Sequence, residues 1–332
     1  MRVFVFEYLT GGGCADNPML PRLAAEGDLM LTAVVRDLAQ VDGVEVVIAR
    51  DRRLELPDLP VEVRWVDHDW RSAWSWCLAS SDAVIPIAPE SDGVLESLCL
   101  AVEMSGKRLL NSSAAAVALA ADKQATLDCL GNCGIPVVAS WRAGEHAWGG
   151  DATLVVKPDM GVGCHDIFLF HGQRALADFL AAQTDPARWL VQPYVAGRSA
   201  SLSLLVGDDC VCLLGCNVQR VAQVDDGFVL LGCAVNGLTE SRQEFITLAQ
   251  AICRAMPELW GFVGVDFVLT EDGPIVLEVN PRLTTSYAGL SRSTGRNIAD
   301  LLVRLVEQPD ELPPPHLRGE CVHVDLELGR VA

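Results

Sequence analysis

Three polar side chains stand two residues apart at the end of an apolar segment late in the sequence. In GPIVLEVNPR, residues 273–282, Glu278, Asn280 and Arg282 follow a run of branched apolar residues. Successive side chains of a strand point to opposite faces, so these three should share one face. A carboxylate, an amide and a guanidinium on one face could bind a cation and an anion side by side.

The preceding residues predict the partner strand of a hairpin. GFVGVDFVLTEDGPIVLEVN consists of two apolar runs around TEDG, and a three-residue loop over residues 271–273 would pair Thr270 with Pro274. This register places Asp266 directly opposite Glu278. Carboxylates that face each other in an apolar setting repel each other, so a positive charge is expected between them.

The ligand types favour a hard cation at this position. Asp266, Glu278 and Asn280 offer only oxygen ligands, which suits Mg²⁺. The alternative is an exposed hairpin end whose carboxylates are solvated.

The rare lysines form a second group of candidates. Of the 25 basic residues, only Lys107, Lys123 and Lys157 are lysines. A lysine presents a compact point charge, which suits a phosphate oxygen in a way that the arginine fork does not. Lys123 falls in a predicted helix, and Lys157 ends an apolar strand before the loop PDMGVGC. Lys107 directly follows a predicted helix, so its charge is explained by the favourable interaction of a cation with a helix C-terminus. The alternative for Lys123 is a solvated helix residue.

Charge and composition exclude several classes of function. The chain has 332 residues, half of them hydrophobic, and a formal net charge of −19, which argues against nucleic acid as the main partner. No apolar run is long enough for a bilayer and the first residues lack a signal-peptide layout, so we expect a cytoplasmic protein without membrane contact. The twelve cysteines contain no CxxC pair, which favours structural thiols over a zinc site.

The pattern of elements divides the chain in two. Residues 1–110 alternate between apolar strands and helices, which predicts an α/β unit with a parallel sheet. The glycines 11–13 follow the first strand, at the edge where such sheets bind ligands, but they do not form a dinucleotide motif. The remainder predicts antiparallel strands with helices, an α+β arrangement. Helices are predicted over residues 22–40, 70–81, 93–106, 111–136, 239–256 and 294–307.

Three segments together resemble the ATP-grasp superfamily. They are DKQATLDCLGNCGIPVV, LVVKPDMGVG and VDFVL…GPIVLEVNPR, and the resemblance extends over residues 109–310. It implies a Rossmann-like pre-ATP-grasp domain at residues 1–110 and a two-subdomain ATP-grasp fold. The small or lid subdomain would cover residues 111–190, and the large subdomain with the magnesium site would cover residues 191–330.

The resemblance also implies roles for individual residues. Lys123 and Lys157 would contact the phosphates of ATP, and Gly161 and Gly163 would let a lid backbone approach them. The adenine pocket would be lined by Gln192, Pro193, Tyr194 and Val195. Plain turn glycines are the alternative for the loop, and the hinge has no carboxylate for a ribose contact.

The same resemblance assigns the catalytic charges. Asp266, Glu278 and Asn280 would hold Mg²⁺, with Mn²⁺ as a substitute, and Arg282 would stabilise the transferred phosphoryl group. Arg220 would be a second anion contact, unless it is a partner in a structural ion pair.

A narrower resemblance concerns the substrates. FEYLTGGG, LAAEGDLMLTAVVRDL, KPDMGVGC and EVNPRLTTSYAGLSR look like the tyramine–glutamate ligases of methanofuran biosynthesis. This implies an ATP-dependent ligase that activates the γ-carboxylate of L-glutamate as an acyl phosphate. The amine would be tyramine, or tyrosine in the related cofactor methylofuran.

The amine and the glutamate would meet residues from both ends of the chain. Glu7, Gly12 and Gly13 would hold the amine, and Tyr287 would contribute to substrate binding. Glu7 could instead cap a turn or pair with an arginine, and Tyr287 could pack.

Two rival functions remain. One is another ATP-grasp amino-acid or peptide ligase, such as a D-alanine-type ligase, and the other is a non-catalytic nucleotide-binding protein. A homodimer is expected only by analogy with the superfamily.

Overall fold

A parallel sheet forms the first third of the chain. The computed structural model describes residues 1–14, 21–146, 148–149, 151–159, 166–225, 227–238, 242–308, 314–327 and 329–331. The parallel strands, in the spatial order β3-β2-β1-β4-β5, are β1 (Arg2–Glu7), β2 (Glu45–Asp51), β3 (Glu62–Val66), β4 (Ala83–Ile87) and β5 (Arg108–Leu109). Its helices are α1 (Pro21–Leu38), α2 (Trp70–Ser80) and α3 (Val94–Met104). We call this unit, residues 1–110, the N-terminal domain.

Alternation along β1 explains why helices cover both faces of this sheet. Val3 and Val5 point into the core cluster that contains the α1 residues, whereas Phe4 and Phe6 point into the cluster around Trp74 of α2. Side chains of opposite parity are therefore all buried, as the predicted parallel sheet requires.

Antiparallel strands form the rest of the chain. The large sheet has the order β14-β13-β10-β11-β12, and its strands are β10 (Arg198–Gly207), β11 (Cys210–Val224), β12 (Gly227–Val235), β13 (Gly261–Thr270) and β14 (Gly273–Asn280). The small sheet has the order β8-β7-β9-β6, and its strands are β6 (Trp141–Arg142), β7 (Thr153–Pro158), β8 (Phe168–His171) and β9 (Trp189–Pro193). Among the described residues, the pairing of Gly227 with Phe168 joins the two into one continuous sheet.

The remaining elements flank these sheets. The helices are α4 (Ala114–Ala121), α5 (Lys123–Asn132), α6 (Gln173–Ala181), α7 (Arg242–Ala255), α8 (Tyr287–Thr294) and α9 (Ile298–Glu307). Two short strands, β15 (Val322–Asp325) and β16 (Arg330–Val331), extend the edge of β12. The predicted fold class, a parallel α/β unit followed by an antiparallel α+β unit, is confirmed. No helix of the described residues has the length and apolar character that a membrane span requires.

Several predicted boundaries were wrong for local reasons. The helical region predicted over residues 111–136 consists of two helices, because Asp122 leaves the helical conformation and caps α5 through the Ala125 N–H at 2.8 Å. The last helix starts at Ile298 rather than 294, because Gly295 at φ 64° ends α8 and Asn297 caps α9. The start of the helix predicted over 239–256 lies outside the described residues, and α7 is described from Arg242.

Part of the large subdomain core comes from residues before the small sheet. Ala116 of α4 and Leu130 of α5 belong to the same buried cluster as Phe267 and Val276 of the large sheet. The boundaries of the two predicted subdomains, 111–190 and 191–330, stay a prediction.

The β13–β14 hairpin keeps the predicted carboxylate pairing by a different route. Thr270 pairs with Gly273, so the loop has two residues and the predicted pairing with Pro274 was wrong. A β-bulge, in which Leu277 is the extra residue, then shifts the register by one. Asp266 therefore lies opposite Glu278, as predicted.

A buried hydrogen-bonded contact ties α8 to α1 of the N-terminal domain. The Tyr287 side chain is only 2% exposed, and its hydroxyl donates to Asp37 Oδ2 at 2.9 Å. Ser291 donates to the same oxygen at 2.6 Å. Burial raises the pKa of Asp37, and these two hydroxyl donors partly oppose that effect. The position of Tyr287 favours the packing alternative over substrate binding.

Removal of this hydroxyl tests the packing role. Tyr287→Phe should lower the free energy of unfolding by about 1–3 kcal/mol, because a buried carboxylate loses one of its donors. Urea denaturation measures the change, and Tyr194→Phe, the same substitution at an exposed tyrosine, should leave stability unchanged. Equal stability of Tyr287→Phe and the wild type would contradict this interpretation.

Candidate active site

A cavity of about 290 Å³ is lined by both the N-terminal domain and the large sheet. The large sheet contributes the polar residues Ser201, Gln219, Asp266, Glu278 and Asn280. The N-terminal domain contributes Glu7, Glu26 and several apolar side chains, among them Leu9, Leu23, Met30 and Ile87. Asp266, Glu278 and Arg282 of the predicted site thus face a concave space that the N-terminal domain also lines.

The opposed carboxylates of Asp266 and Glu278 line this cavity. Asp266 Oδ1 accepts a hydrogen bond from Gln219 Nε2 at 2.8 Å, and Oδ2 accepts one from Asn280 Nδ2 at 3.2 Å. Burial, and then the negative charge of Glu278, raise the pKa of Asp266. The carboxylate pair is therefore costly to keep ionised without a cation.

Two buried lysines lie beside the carboxylate pair. Lys123, the first residue of α5, places Nζ 3.9 Å from Glu278 Oε2, and Lys157 near the end of β7 is only 5% exposed. Burial alone would raise the pKa of Glu278, but Lys123 and Lys157 outweigh it, so that pKa is lowered. The pKa of Lys157 is lowered, chiefly by burial, against the opposing charge of Glu278. The predicted phosphate ligands and metal ligands are thus brought together.

The donor set fits a hard divalent cation. Two carboxylates and an amide oxygen on adjacent antiparallel strands are oxygen ligands only, and a cation would remove the repulsion that raises the pKa of Asp266. Among the described residues no three His, Cys, Asp or Glu side chains form a metal cluster, and the third candidate ligand here is Asn280.

Arg282 is held by a residue that sequence analysis did not identify. Its Nε lies 2.8 Å from Glu90 Oε1 and its Nη2 donates to Glu90 Oε2 at 2.9 Å, so the pair is bidentate. Nη1 donates to the Leu283 carbonyl at 3.1 Å. Burial lowers the pKa of Arg282, but Glu90 more than offsets this and the net shift is upward. The guanidinium is therefore fixed, with donors left over for an anion in the cavity.

Residues from the first third of the chain hold the rest of the segment that follows Asn280. Asn111 Nδ2 donates to the Pro281 carbonyl at 2.9 Å, and the Thr285 hydroxyl donates to Glu26 on α1. These contacts join residues far apart in sequence, so no local pattern could have indicated Glu26, Glu90 or Asn111.

Of the three residues predicted to hold the amine, Glu7 lines the cavity and the two glycines do not. Glu7 lines the cavity and is 4% exposed, and it also caps the turn that follows β1, which was the stated alternative. Gly12 and Gly13 are absent from the cavity lining. They pack against Val66 and Tyr8 respectively, where a Cβ would come within 2.6 Å of a side-chain carbon.

Arg220 makes its contacts outside the cavity. Its Nη2 lies 2.9 Å from Asp325 Oδ2 and also contacts the Leu231 carbonyl, and it does not line the cavity. Neighbouring residues of a strand alternate faces, so its neighbour Gln219 reaches the cavity and Arg220 does not. This position favours the structural ion pair over an anion contact.

The adenine-pocket candidates lie on and after β9. Gln192 is buried and donates to Ser140 Oγ at 3.3 Å, Pro193 ends the strand, and Tyr194 is exposed. Val195 follows directly. Gly161 and Gly163 lie outside the described residues, so the predicted phosphate loop stays a prediction.

Comparison with protein families matches two adjacent models. The ATP-grasp domain model matches residues 120–286, and the pre-ATP-grasp 3 domain model matches residues 44–117. The match to the first model alone covers half of the chain.

Individual relatives match nearly the whole chain. The tyramine–L-glutamate ligase of Methanocaldococcus fervens is 27% identical over 91% of this chain and 93% of its own length. That of Methanocaldococcus jannaschii is 23% identical over 91% and 88%. A solved ATP-grasp superfamily protein from Archaeoglobus fulgidus superposes with a TM-score of 0.71 at 24% identity, over 97% of this chain and 92% of that one. The chain belongs to the ATP-grasp family.

Proposed function

We propose that the protein is an ATP-dependent ligase that joins a carboxylate to an amine through an acyl phosphate. The donor would be the γ-carboxylate of L-glutamate, and the acceptor would be tyramine or tyrosine, in the biosynthesis of a methanofuran-type cofactor. One observation carries the proposal: the opposed carboxylates Asp266 and Glu278 line the same cavity as the acidic and apolar residues of the N-terminal domain, and the Lys123 ammonium lies 3.9 Å from Glu278.

The part of the cavity around Asp266 and Glu278 suits phosphoryl transfer. Asp266, Glu278 and Asn280 would hold Mg²⁺, or Mn²⁺ in its place, and the ion would neutralise charge on the ATP phosphates. Lys123 and Lys157 would contact those phosphates directly. Arg282 would face the transferred phosphoryl group, and its fixed orientation would cost no reorganisation during the reaction.

The part of the cavity around Glu7 and Glu26 suits an amine with an apolar body. Glu7 and Glu26 supply negative charge for an ammonium, while Leu23 and Met30 from α1 and Phe228 from β12 supply an apolar surface. Tyramine and tyrosine combine these two features. The adenine would lie against Gln192–Val195.

The named relatives support the specific substrates. Two tyramine–L-glutamate ligases align over 91% of this chain, and the alignments include both the N-terminal domain and the cluster around Asp266. We leave Arg220 and Tyr287 out of the proposed site because both are bound in structural contacts.

A substrate assay tests the proposal. Phosphate release is measured with ATP, Mg²⁺ and L-glutamate, with tyramine, tyrosine or water as acceptor, and the product is examined by mass spectrometry. We expect glutamate-dependent release and the mass of glutamyl-tyramine or glutamyl-tyrosine. ATP hydrolysis that no carboxylate stimulates would contradict a ligase function, and an amide with a different amine would contradict the proposed acceptor.

Loss of Glu278 should abolish turnover. Glu278→Ala removes a proposed metal ligand and the partner of Lys123, so we expect at least about a 100-fold lower kcat with an unchanged circular dichroism spectrum. Glu271→Ala, an exposed carboxylate in the loop of the same hairpin, is the matched control and should retain wild-type activity. Wild-type rates in Glu278→Ala would remove the metal assignment.

Glu90 should act through Arg282. Glu90→Gln keeps a hydrogen-bond acceptor but loses the bidentate charge pair, so we expect kcat to fall by about 10- to 100-fold because the guanidinium is misplaced. The KM values for glutamate and the amine should change little, and Glu90→Asp should restore part of kcat. Glu45→Gln, at an exposed position of the same domain, should behave as the wild type. A purely structural role would instead lower the melting temperature without a selective loss of kcat.

A further inference from the structure

Glu7 is a buried carboxylate that faces the cavity without a cationic partner. Its Oε2 accepts the Thr10 N–H at 2.7 Å and its Oε1 accepts the Leu9 N–H at 3.3 Å. No arginine or lysine among the described residues forms an ion pair with it, and the arginines of the β2 end, Arg50 and Arg53, are paired with Asp28 and Asp51. A buried carboxylate with backbone donors alone is normally compensated by a cation.

Helix α1 comes unusually close to this carboxyl group. A Cβ at Gly27 would fall 2.6 Å from both the carboxyl carbon and Oε2 of Glu7. A glycine at this position therefore lets the helix cover the carboxylate, which separates it from bulk water on that side. The uncovered side faces the cavity.

These surroundings make Glu7 a weaker acid than an ordinary glutamate. Burial raises its pKa to about 7, although the Thr10 and Leu9 hydrogen bonds oppose the shift, and Asp28 on α1 adds a smaller upward contribution. The other charged or titratable groups near Glu7 or lining the same cavity are Cys14 in the turn, Glu26 on α1, Asp266, Glu278, and Arg282 with its partner Glu90. A carboxylate of this kind can accept and release a proton at neutral pH.

We infer, on the basis of the proposed ligase function, that Glu7 accepts the proton that the acceptor ammonium must lose before it attacks the acyl phosphate. The amine is bound as R–NH₃⁺ and transfers one proton to the Glu7 carboxylate. The nitrogen lone pair then forms the C–N bond to the carbonyl carbon of the γ-carboxyl group, and the bond between that carbon and the bridging phosphate oxygen breaks with its electron pair on the oxygen. The second N–H proton departs with the phosphate, and Glu7 returns its proton to solvent.

Glu26 supports this step by position rather than by proton transfer. It lines the same wall and accepts the Thr285 hydroxyl, so its charge is fixed between α1 and the segment after Asn280. An ammonium near both carboxylates would be attracted to Glu26 and deprotonated by Glu7.

Hydroxylamine separates proton removal from carboxylate activation. It is neutral at pH 7.5 and captures acyl phosphates as hydroxamates without prior loss of a proton. Glu7→Gln should therefore lose amide formation by about 100-fold or more, while hydroxamate formation from glutamate and ATP stays within about twofold of the wild type. Glu26→Gln should raise the KM for the amine and keep the wild-type pH dependence.

The pH profile gives a second readout. For the wild type, kcat/KM for the amine should rise as the pH passes through about 7, because Glu7 must be ionised, and then level off. Glu7→Gln should lack that plateau and rise continuously with the fraction of neutral amine. Glu7→Asp keeps a carboxylate but withdraws it from the cavity, so it should keep the plateau with a lower rate; it also tests the inference if Glu7→Gln does not fold.

The outcomes distinguish this inference from the proposed function. Amide formation in Glu7→Gln within threefold of the wild type would overturn the inference, and so would a parallel loss of hydroxamate, which would place Glu7 in the activation of glutamate or in folding. A wild-type protein that forms neither amide nor hydroxamate would overturn the ligase function itself.

Discussion

Two carboxylates that face each other across neighbouring strands set the constraint on which the site depends. Asp266 and Glu278 are ionisable groups in a largely buried position, and their mutual repulsion must be balanced by positive charge. The chain places two of its three lysines there. The bulge at Leu277 preserves this opposition although the hairpin loop is one residue shorter than the register would otherwise require. In the proposed function, a cation with a phosphate ligand would complete this charge balance.

The N-terminal domain completes the site rather than merely preceding it. Glu90 orients Arg282, and Glu26 and Asn111 hold the segment after Asn280. Each contact joins residues more than 150 positions apart. In the proposed function, charge for the phosphoryl group would come from the large sheet, whereas its orientation and the amine wall would come from the first third of the chain. A ligase needs both reactants in one space, and the cavity between these two parts would provide it.

Sequence periodicity was sufficient to predict those parts of the site that lie within one strand or one hairpin. Alternation within a strand put Glu278 and Asn280 on one face, and the hairpin pattern put Asp266 opposite. Long-range partners carry no such signal, which is why Glu90 and Glu26 were missed. A structural ion pair was the stated alternative for Arg220, but its partner Asp325 could not be identified from the sequence, because the position of Asp325 depends on the pairing of β15 with β12. Helix ends were misplaced where side-chain caps at Asp122 and Asn297 overrode continuous apolar patterns.

The most direct measurement of the central claim is a crystal structure of the protein with ADP and Mg²⁺. The account predicts an ion about 2.1 Å from oxygen atoms of Asp266, Glu278 or Asn280, with the ADP phosphates in contact with Lys123 and Lys157. Diffraction from Mn²⁺-soaked crystals would identify the ion by its anomalous signal. A nucleotide bound away from this cluster, or bound there with no cation on the opposed carboxylates, would contradict it.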